Sequence, residues 1–303
     1  MTDGVLIVNK PAGFTSHDVV AKLRGILHQK KIGHTGTLDP DATGVLPVCL
    51  GKATKLCSFL TDETKSYEAV VLLGTETDTQ DVSGQVRAQR PVCCTEEAIR
   101  ETVRGFLGPQ LQVPPMYSAL KKDGKKLYEL ARAGIEVERE PRPVTFYDIQ
   151  VTSIELPRFS IRVTCSRGTY IRTLCHDIGR RLGCGACMES LVRTGVGRFT
   201  LEDARSLEEI RDAADRGAAG ELIIPVDVLF SRLPEVRTDP LADAAAHNGN
   251  AIPAGLAGVC EPAEEVRLYD SSGAFVGIFR LDGTRWKPVQ MFWNGEGKQN
   301  REN

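Results

Sequence analysis

Residues 33–47, GHTGTLDPDATGVLP, hold three glycines, two prolines, three threonines, a histidine and two aspartates. Glycine and proline at that density exclude a helix and leave room for strand only at the closing VLP. The chain must present a turn-rich loop here and fix it from either side. An aspartate held between turn residues can aim its carboxylate into a cleft without lying in a core. Asp39 is therefore open to four roles: nucleophile, general base, metal ligand or turn brace. The metal reading is the weakest, since only His34 and Asp41 stand nearby at ligand spacing.

The flanking segments set the fold class. GVLIVNKPAG, from Gly4, reads as a buried strand ending in a Pro-Gly turn. Ser16 is placed to cap a helix whose Val19, Val20, Leu23, Ile26 and Leu27 share a face. Beyond the loop, GVLPVCLG and YEAVVLLG read as strands around a short helix at ATKLCSFL, and TEEAIRETVRGFLG reads as a helix. VPPMYSALKKDGKKLYELARAG reads as a loop leading into a basic helix closed by Gly134. VTFYDIQVTSIEL and FSIRVTCS look like paired strands, and RGTYIRTLCHDIGRRLG turns from strand into helix. Without strict alternation of strand and helix, the expected class is α+β with a mixed or antiparallel sheet. After about Pro225 short strands with Gly-rich turns take over, as in VRLYDSSGAFVGIFRLDGTRWKPVQMFW. Two domains are expected, residues 1–224 and a small β-rich one at 225–303.

Composition narrows the class of function. With 41% hydrophobic and 26% charged residues the chain can bury an ordinary globular core. Neither a signal peptide nor a membrane-length apolar run is visible, so a cytoplasmic protein is expected. In a reducing compartment most of the nine cysteines serve as small buried hydrophobes. Cys175, His176, Cys184 and Cys187 are zinc-ligand types, but Cys175 and His176 are adjacent in an apparent helix and point apart. No metal is expected. The net charge of −2 does not favour nucleic acid, yet basic residues cluster in 19–38, 117–134 and 158–181. Three such stretches suggest one positive face.

Six segments then become recognisable in order: NKPAGFTSHDVV, KIGHTGTLDPDATGVLPVCLGKATK, KSYEAVVLLGTETDTQDVSG, VPPMYSALKKDGKKLYELARAG, CSRGTYIRTLCHDIGRRLG and LVRTGVGRF. Together they closely resemble the TruB family of pseudouridine synthases, the bacterial enzymes acting on uridine 55 of tRNA, from about Gly4 to Ala204. The resemblance implies an isomerase that converts uridine to pseudouridine in the T-arm of tRNA, without cofactor and by base flipping. It implies a monomer with tRNA as partner, no obligate protein partner and no membrane. Asp39 matches the essential aspartate of these enzymes and Arg172 the arginine that pairs with it. Tyr67 matches the tyrosine stacked on the target base, while Tyr170 and Leu191 match walls of the uracil pocket. His34 matches the histidine beside the flipped nucleotides, and Lys10 and Asp81 match supporting positions.

The segment at about 114–143 matches an insertion that closes on RNA, where Lys121, Lys122, Lys125 and Lys126 would grip phosphates. From its spacing alone, Tyr170 is expected on the same strand face as Arg172. Asp41 stands where the family often has leucine, and is expected to face solvent or brace the turn. The C-terminal region matches less clearly; the family often carries a small PUA-like RNA-binding domain there. Its eleven acids against eight bases argue against a strong phosphate grip. Two other readings compete: a guide-RNA-directed relative working in a ribonucleoprotein, and a non-catalytic RNA-binding or chaperone protein on the same scaffold.

Overall fold

The computed structural model describes residues 2–61, 63–257, 264–293 and 295. The expected C-terminal domain is thus described except for 258–263, 294 and 296–303, which lie outside the described residues. The first half runs β1 (Gly4–Lys10), α1 (Ser16–Ile26), β2 (Ile32–His34), the Asp39 loop, β3 (Thr43–Leu50), α2 (Cys57–Thr61) and β4 (Lys65–Leu73). There follow β5 (Thr75–Thr77), β6 (Val86–Gln89), α3 (Glu96–Arg104), β7 (Gly108–Gln112), and a hairpin of β8 (Lys121–Lys122) and β9 (Lys125–Lys126). Then come α4 (Leu127–Arg132), β10 (Arg142–Glu155), β11 (Arg158–Cys165), α5 (Ile171–Arg181), β12 (Ala186–Val196), β13 (Phe199–Thr200), α6 (Leu207–Asp215) and β14 (Ile223–Ile224).

One ten-stranded sheet organises this region in the order β14-β1-β3-β12-β4-β11-β10-β7, with β2 paired to β3 and β13 to β12. All its pairings are antiparallel except β12 with β3. The mixed α+β expectation holds. Alternation of side chains explains why β1 reads as a continuous apolar run. Leu6 and Val8 face one way, onto α1 and α6 through Val19, Val20, Leu23 and Ile210. Val5 and Ile7 face the other way, into a core built with Leu56, Val196 and Phe199.

A second, five-stranded sheet follows, of β15 (Glu235–Arg237), β16 (Ile252–Pro253), β17 (Glu265–Tyr269), β18 (Phe275–Asp282) and β19 (Arg285–Met291), with α7 (Pro240–His247) between its first two strands. It has its own core around Trp286 and Phe279. Ile278 and Phe292 nevertheless join the core beneath β1 and β3, with Phe230 and Phe275 packed beside them. Lys55 Nζ donates to Met291 O at 2.9 Å, and Tyr269 Oη donates to Asp227 Oδ2 at 2.8 Å. Among the described residues no helix is long and apolar enough to cross a membrane.

Two sequence expectations are corrected, and one strand is added. Thr15, not Ser16, caps α1, because Asp18 three residues on closes a reciprocal capping box with it. The strand β12 went unrecognised: ACMESLVRTGV lacks both alternation and a β-branched run, yet it is the central strand. The four lysines do not sit on a helix. Asp123 and Gly124, with φ of 51° and 82°, make the left-handed pair that a tight hairpin turn requires, and Lys121 faces Lys126 across it.

Close packing of α5 on the sheet yields a test. A Cβ at Gly179 would lie 2.1 Å from Ala186 N, whereas one at Gly25 in α1 would meet nothing within 4 Å. Gly179→Ala is expected to lower the urea-unfolding free energy by about 1–3 kcal/mol through overpacking. Gly25→Ala, by contrast, should raise it by up to about 1 kcal/mol through helix propensity.

Candidate active site

The Asp39 loop is held almost wholly through its backbone. Asp39-Pro40-Asp41-Ala42 forms a turn in which Ala42 N–H donates to Asp39 O at 3.1 Å, with proline in its favoured second position. Leu38 N–H donates to Ser16 Oγ at 2.9 Å, which is the use the structure makes of Ser16. Pro40 O accepts from Gly13 N–H at 3.0 Å and from Lys10 Nζ at 2.8 Å. Lys10 is wholly buried, and its other donors go to Pro11 O at 2.9 Å and Phe14 O at 2.5 Å. Burial pushes its ammonium down to about 8, against the pull of Asp41 and Asp39. Lys10 therefore braces the loop from beneath.

With its backbone fixed in this way, the Asp39 side chain does not brace its own turn. It meets Arg172 instead: Nε lies 2.8 Å from Oδ2, and Nη2 donates to Oδ1 at 3.0 Å. The fork is bidentate, the strongest geometry open to such a pair. Arg172 is 6% exposed and Asp39 38% exposed, so the cation is sunk and the carboxylate stands at the lip. The rest of the guanidinium is spent on Thr79 O at 3.0 Å, Tyr117 O at 2.9 Å and Asp81 Oδ2 at 3.6 Å. Burial holds the Asp39 carboxyl above its ordinary value and Asp81 adds to this, while Arg172 and Lys10 pull it back.

Tyr170 and Arg172 do not share a strand face. Tyr170 is the residue before the first turn of α5 and Arg172 lies within that turn, because RGTY breaks the chain before IRTLCHDIGRR takes up helical spacing. Both still sit at the start of α5, where Arg172 meets Asp39. Gln112 clasps the Tyr170 backbone, accepting from its N–H at 2.8 Å and donating to its carbonyl at 3.0 Å. Burial raises the Tyr170 hydroxyl, with Ser118 opposing.

Tyr67 on β4 is buried beside Leu38 and Leu191 in one core cluster. Burial pushes its hydroxyl up to about 12, and the nearby Arg193 guanidinium opposes the rise. His34, at the end of β2, has a ring pushed down by burial and a buried Nδ1 without a partner among the described residues. Asp81 serves both as turn cap and as partner to Arg172: its Oδ1 accepts from Thr79 Oγ1 at 2.7 Å, Ser83 N–H at 3.0 Å and Ser83 Oγ at 2.5 Å. Asp41 is exposed.

The lysine hairpin stands apart from this cluster. Lys121 and Lys125 are exposed, whereas Lys122 Nζ donates to Glu138 O at 2.6 Å and Lys126 Nζ to Tyr128 Oη at 3.2 Å. Cys175, Cys184 and Cys187 are buried. Among the described residues no three metal-ligating side chains gather. Sequence reading missed Gln112, Ser118 and Arg193; with β12 unrecognised, nothing marked Arg193 as buried.

A TruB family pseudouridylate synthase N-terminal domain matches residues 24–171, and a tRNA pseudouridylate synthase B C-terminal domain matches 172–231. Over 300 residues the chain is 45% identical to a Ralstonia pickettii protein named tRNA pseudouridine synthase B, covering 95% of this chain and 93% of that one. A Burkholderia mallei protein of the same name is 47% identical over 296 residues, covering 97% and 98%. Among solved structures, a Cbf5-Nop10-Gar1 complex aligns with a TM-score of 0.69 at 31% identity, over 95% of this chain and 84% of that one. An H/ACA RNP bound to a substrate RNA containing 2′-deoxyuridine aligns with a TM-score of 0.69 at 27% identity, over 97% and 86%.

Asp39→Asn removes the carboxylate's charge but keeps its shape. It is expected to lower pseudouridine formation in tRNA by at least about 1,000-fold. Affinity for the RNA should stay within about threefold, because no basic side chain is changed. In the parent, the ionised form is full above the raised pKa and lost as pH falls through it. The acid limb of kcat should therefore lie above the ordinary aspartate range, and a limb at or below that range would remove Asp39 from the rate-determining ionisation.

Proposed function

The chain belongs to the TruB family of pseudouridylate synthases and is an isomerase of uridine in tRNA, and we propose that its target is uridine 55, in the T-arm. The reading is carried by one observation: a half-open carboxylate, Asp39, gripped on both oxygens by a buried arginine. A carboxylate so placed can attack the sugar or base, or take a sugar proton, and then leave again without any cofactor. Arg172 keeps it an anion and aims it. Tyr67 is proposed to stack on the base, with Tyr170 and Leu191 as walls and His34 beside the space the flipped nucleotide vacates. Lys10 and Asp81 hold the loop and the arginine.

We read residues 1–224 as the catalytic domain, with 114–143 as a lid on the RNA, and 225–303 as a β-rich accessory domain. Tyr117, at the root of the lid, is tied by its carbonyl to Arg172, which favours a lid that closes over the catalytic pair itself. The guide-directed alternative draws support from the H/ACA complexes among the structural relatives. The relatives of higher identity carry the tRNA enzyme's name, and this favours an enzyme acting on tRNA; it is proposed to act alone, as a monomer.

Purified protein alone, with a chelator present, is expected to convert one uridine of a T-arm stem-loop to pseudouridine, read by mass spectrometry after nuclease digestion. Conversion only with an added guide RNA would favour the ribonucleoprotein reading, and none under either condition would favour the non-catalytic one.

A second test follows from the hairpin. Of the four hairpin lysines, Lys121 and Lys125 are the two whose ammonium groups make no hydrogen bond among the described residues, whereas Lys122 and Lys126 do. Changing both to alanine should lower the slope of log affinity against log salt by about 1.4 to 1.8. The choice of uridine should not change. An unaltered slope would leave these lysines as a solvated surface.

A further inference from the structure

Arg193 is 1% exposed, on the central strand β12. Its backbone pairs with Tyr67 on one side and Gly44 on the other. A Cβ at Gly44 would stand 2.2 Å from Arg193 O, so the strands meet at this point only because position 44 is glycine. The side chain runs beneath the Asp39 loop. Its Nε donates to Val45 O at 2.7 Å and its Nη1 to Thr37 O at 3.4 Å, one on each side of Asp39 in the chain. Nη2 donates to no carbonyl or carboxylate among the described residues, and the neutral Tyr67 hydroxyl is the polar side chain beside this guanidinium.

An uncompensated buried charge lowers stability, and a neutral donor could strap the loop at less cost. The other cations of the site are spoken for. Arg172 is spent on Asp39, Asp81 and two carbonyls, and Lys10 on three carbonyls. The reaction itself supplies a use for a positive charge here. When the C1′–N1 bond of uridine breaks, its electron pair departs with the base, which becomes a uracil anion. C1′ is then filled by a bond to the Asp39 carboxylate, or by loss of the 2′ proton. After rotation C5 bonds to C1′ as the bond to Asp39 breaks, or as C2′ takes its proton back; C5 then loses its proton and N1 gains one, so that the product is an isomer of the substrate. While free, the ring carries a full negative charge beside Tyr67, which pairs directly with Arg193 across β4 and β12, so that the two side chains share one face of the sheet.

We propose that Arg193 serves the reaction as an electrostatic and positioning residue: it ties the Asp39 loop to the Tyr67 wall, and its unneutralised charge stabilises the uracil anion. The inference rests on the isomerase reading given above. The stabilisation belongs to the charge-separated stage and is worth most in a site from which water is excluded.

The test compares a target uridine with a target 5-fluorouridine in the same stem-loop. 5-Fluorouracil is the more acidic heterocycle, so its anion needs less help to leave. In single-turnover assays Arg193→Met is expected to slow cleavage of the uridine glycosidic bond by about 100-fold. It should slow the 5-fluorouridine reaction at least about tenfold less, with stem-loop affinity within about threefold. Arg193→Lys, which keeps the charge, should restore much of the uridine rate. Equal slowing of both substrates by Arg193→Met, or no slowing, would overturn the electrostatic role and leave a loop strap at most. If Arg193→Met does not fold, the ratio is read on Arg193→Gln and Arg193→Lys. A shifted ratio in the first and a parental one in the second supports the proposal, and equal ratios overturn it. A parent protein that converts neither substrate would instead remove the isomerase reading.

Discussion

The pairing of Asp39 with Arg172 joins residues 133 apart in the chain, and most of the architecture around the site can be read as support for it. A guanidinium has five donors in a fixed plane, so an arginine that holds a carboxylate bidentately has few ways left to turn. Here its remaining donors reach the Thr79–Asp81 turn and the carbonyl of Tyr117. Three segments distant in sequence, the Asp39 loop, the turn after β5 and the stretch before the lysine hairpin, thereby converge on one side chain. That side chain is itself set by the start of α5, which Gln112 fixes by holding the Tyr170 backbone. The carboxylate stays half open because the cation, and not the anion, is the buried member.

Below this pair lies a second layer made of backbone acceptors. Lys10 and Arg193 point their donors at carbonyls of Pro40, Thr37 and Val45 and so hold a loop that has too few donors of its own. The glycines and prolines that made the loop conspicuous in sequence explain this need. Proline offers no N–H, and the turns leave carbonyls facing inward, so buried cations fill the deficit. Burying those cations lowers stability locally, a cost the surrounding ten-stranded sheet is large enough to offset.

Much of this was legible in the residues. The short apolar runs of β1 and β4 and the paired segments of β10 and β11 pointed to the sheet, and the turn density of 33–47 marked the loop that carries the carboxylate. What could not be read depended on tertiary choices. Thr15 and Ser16 are equally good caps in isolation; Asp18 decides between them, and the loser is free to hold Leu38. Tyr170 and Arg172 have strand spacing, but a helix beginning between them serves equally well to bring both to the cleft. The lysine-rich segment has helical composition, yet Asp123-Gly124 favours a tight hairpin turn. Above all, β12 does not look like a strand. Its Glu189, Ser190 and Arg193 are polar, and its central place depends on neighbours on both sides that no local pattern records.

The sharing of one apolar core between the two sheets has a practical side. Ile278, Phe292, Phe230 and Phe275 close over the side chains of Val5, Ile7, Leu56 and Phe199. A chain cut short before the second sheet would leave that cluster facing water as a contiguous greasy patch, of the kind that drives self-association. Of β1 and β3, whose backs the patch covers, β3 receives the Asp39 loop and β1 carries the Lys10 that braces it. Damage to the far end of the molecule would thus first be seen as insoluble protein and lost yield, well before it registered as a slower enzyme.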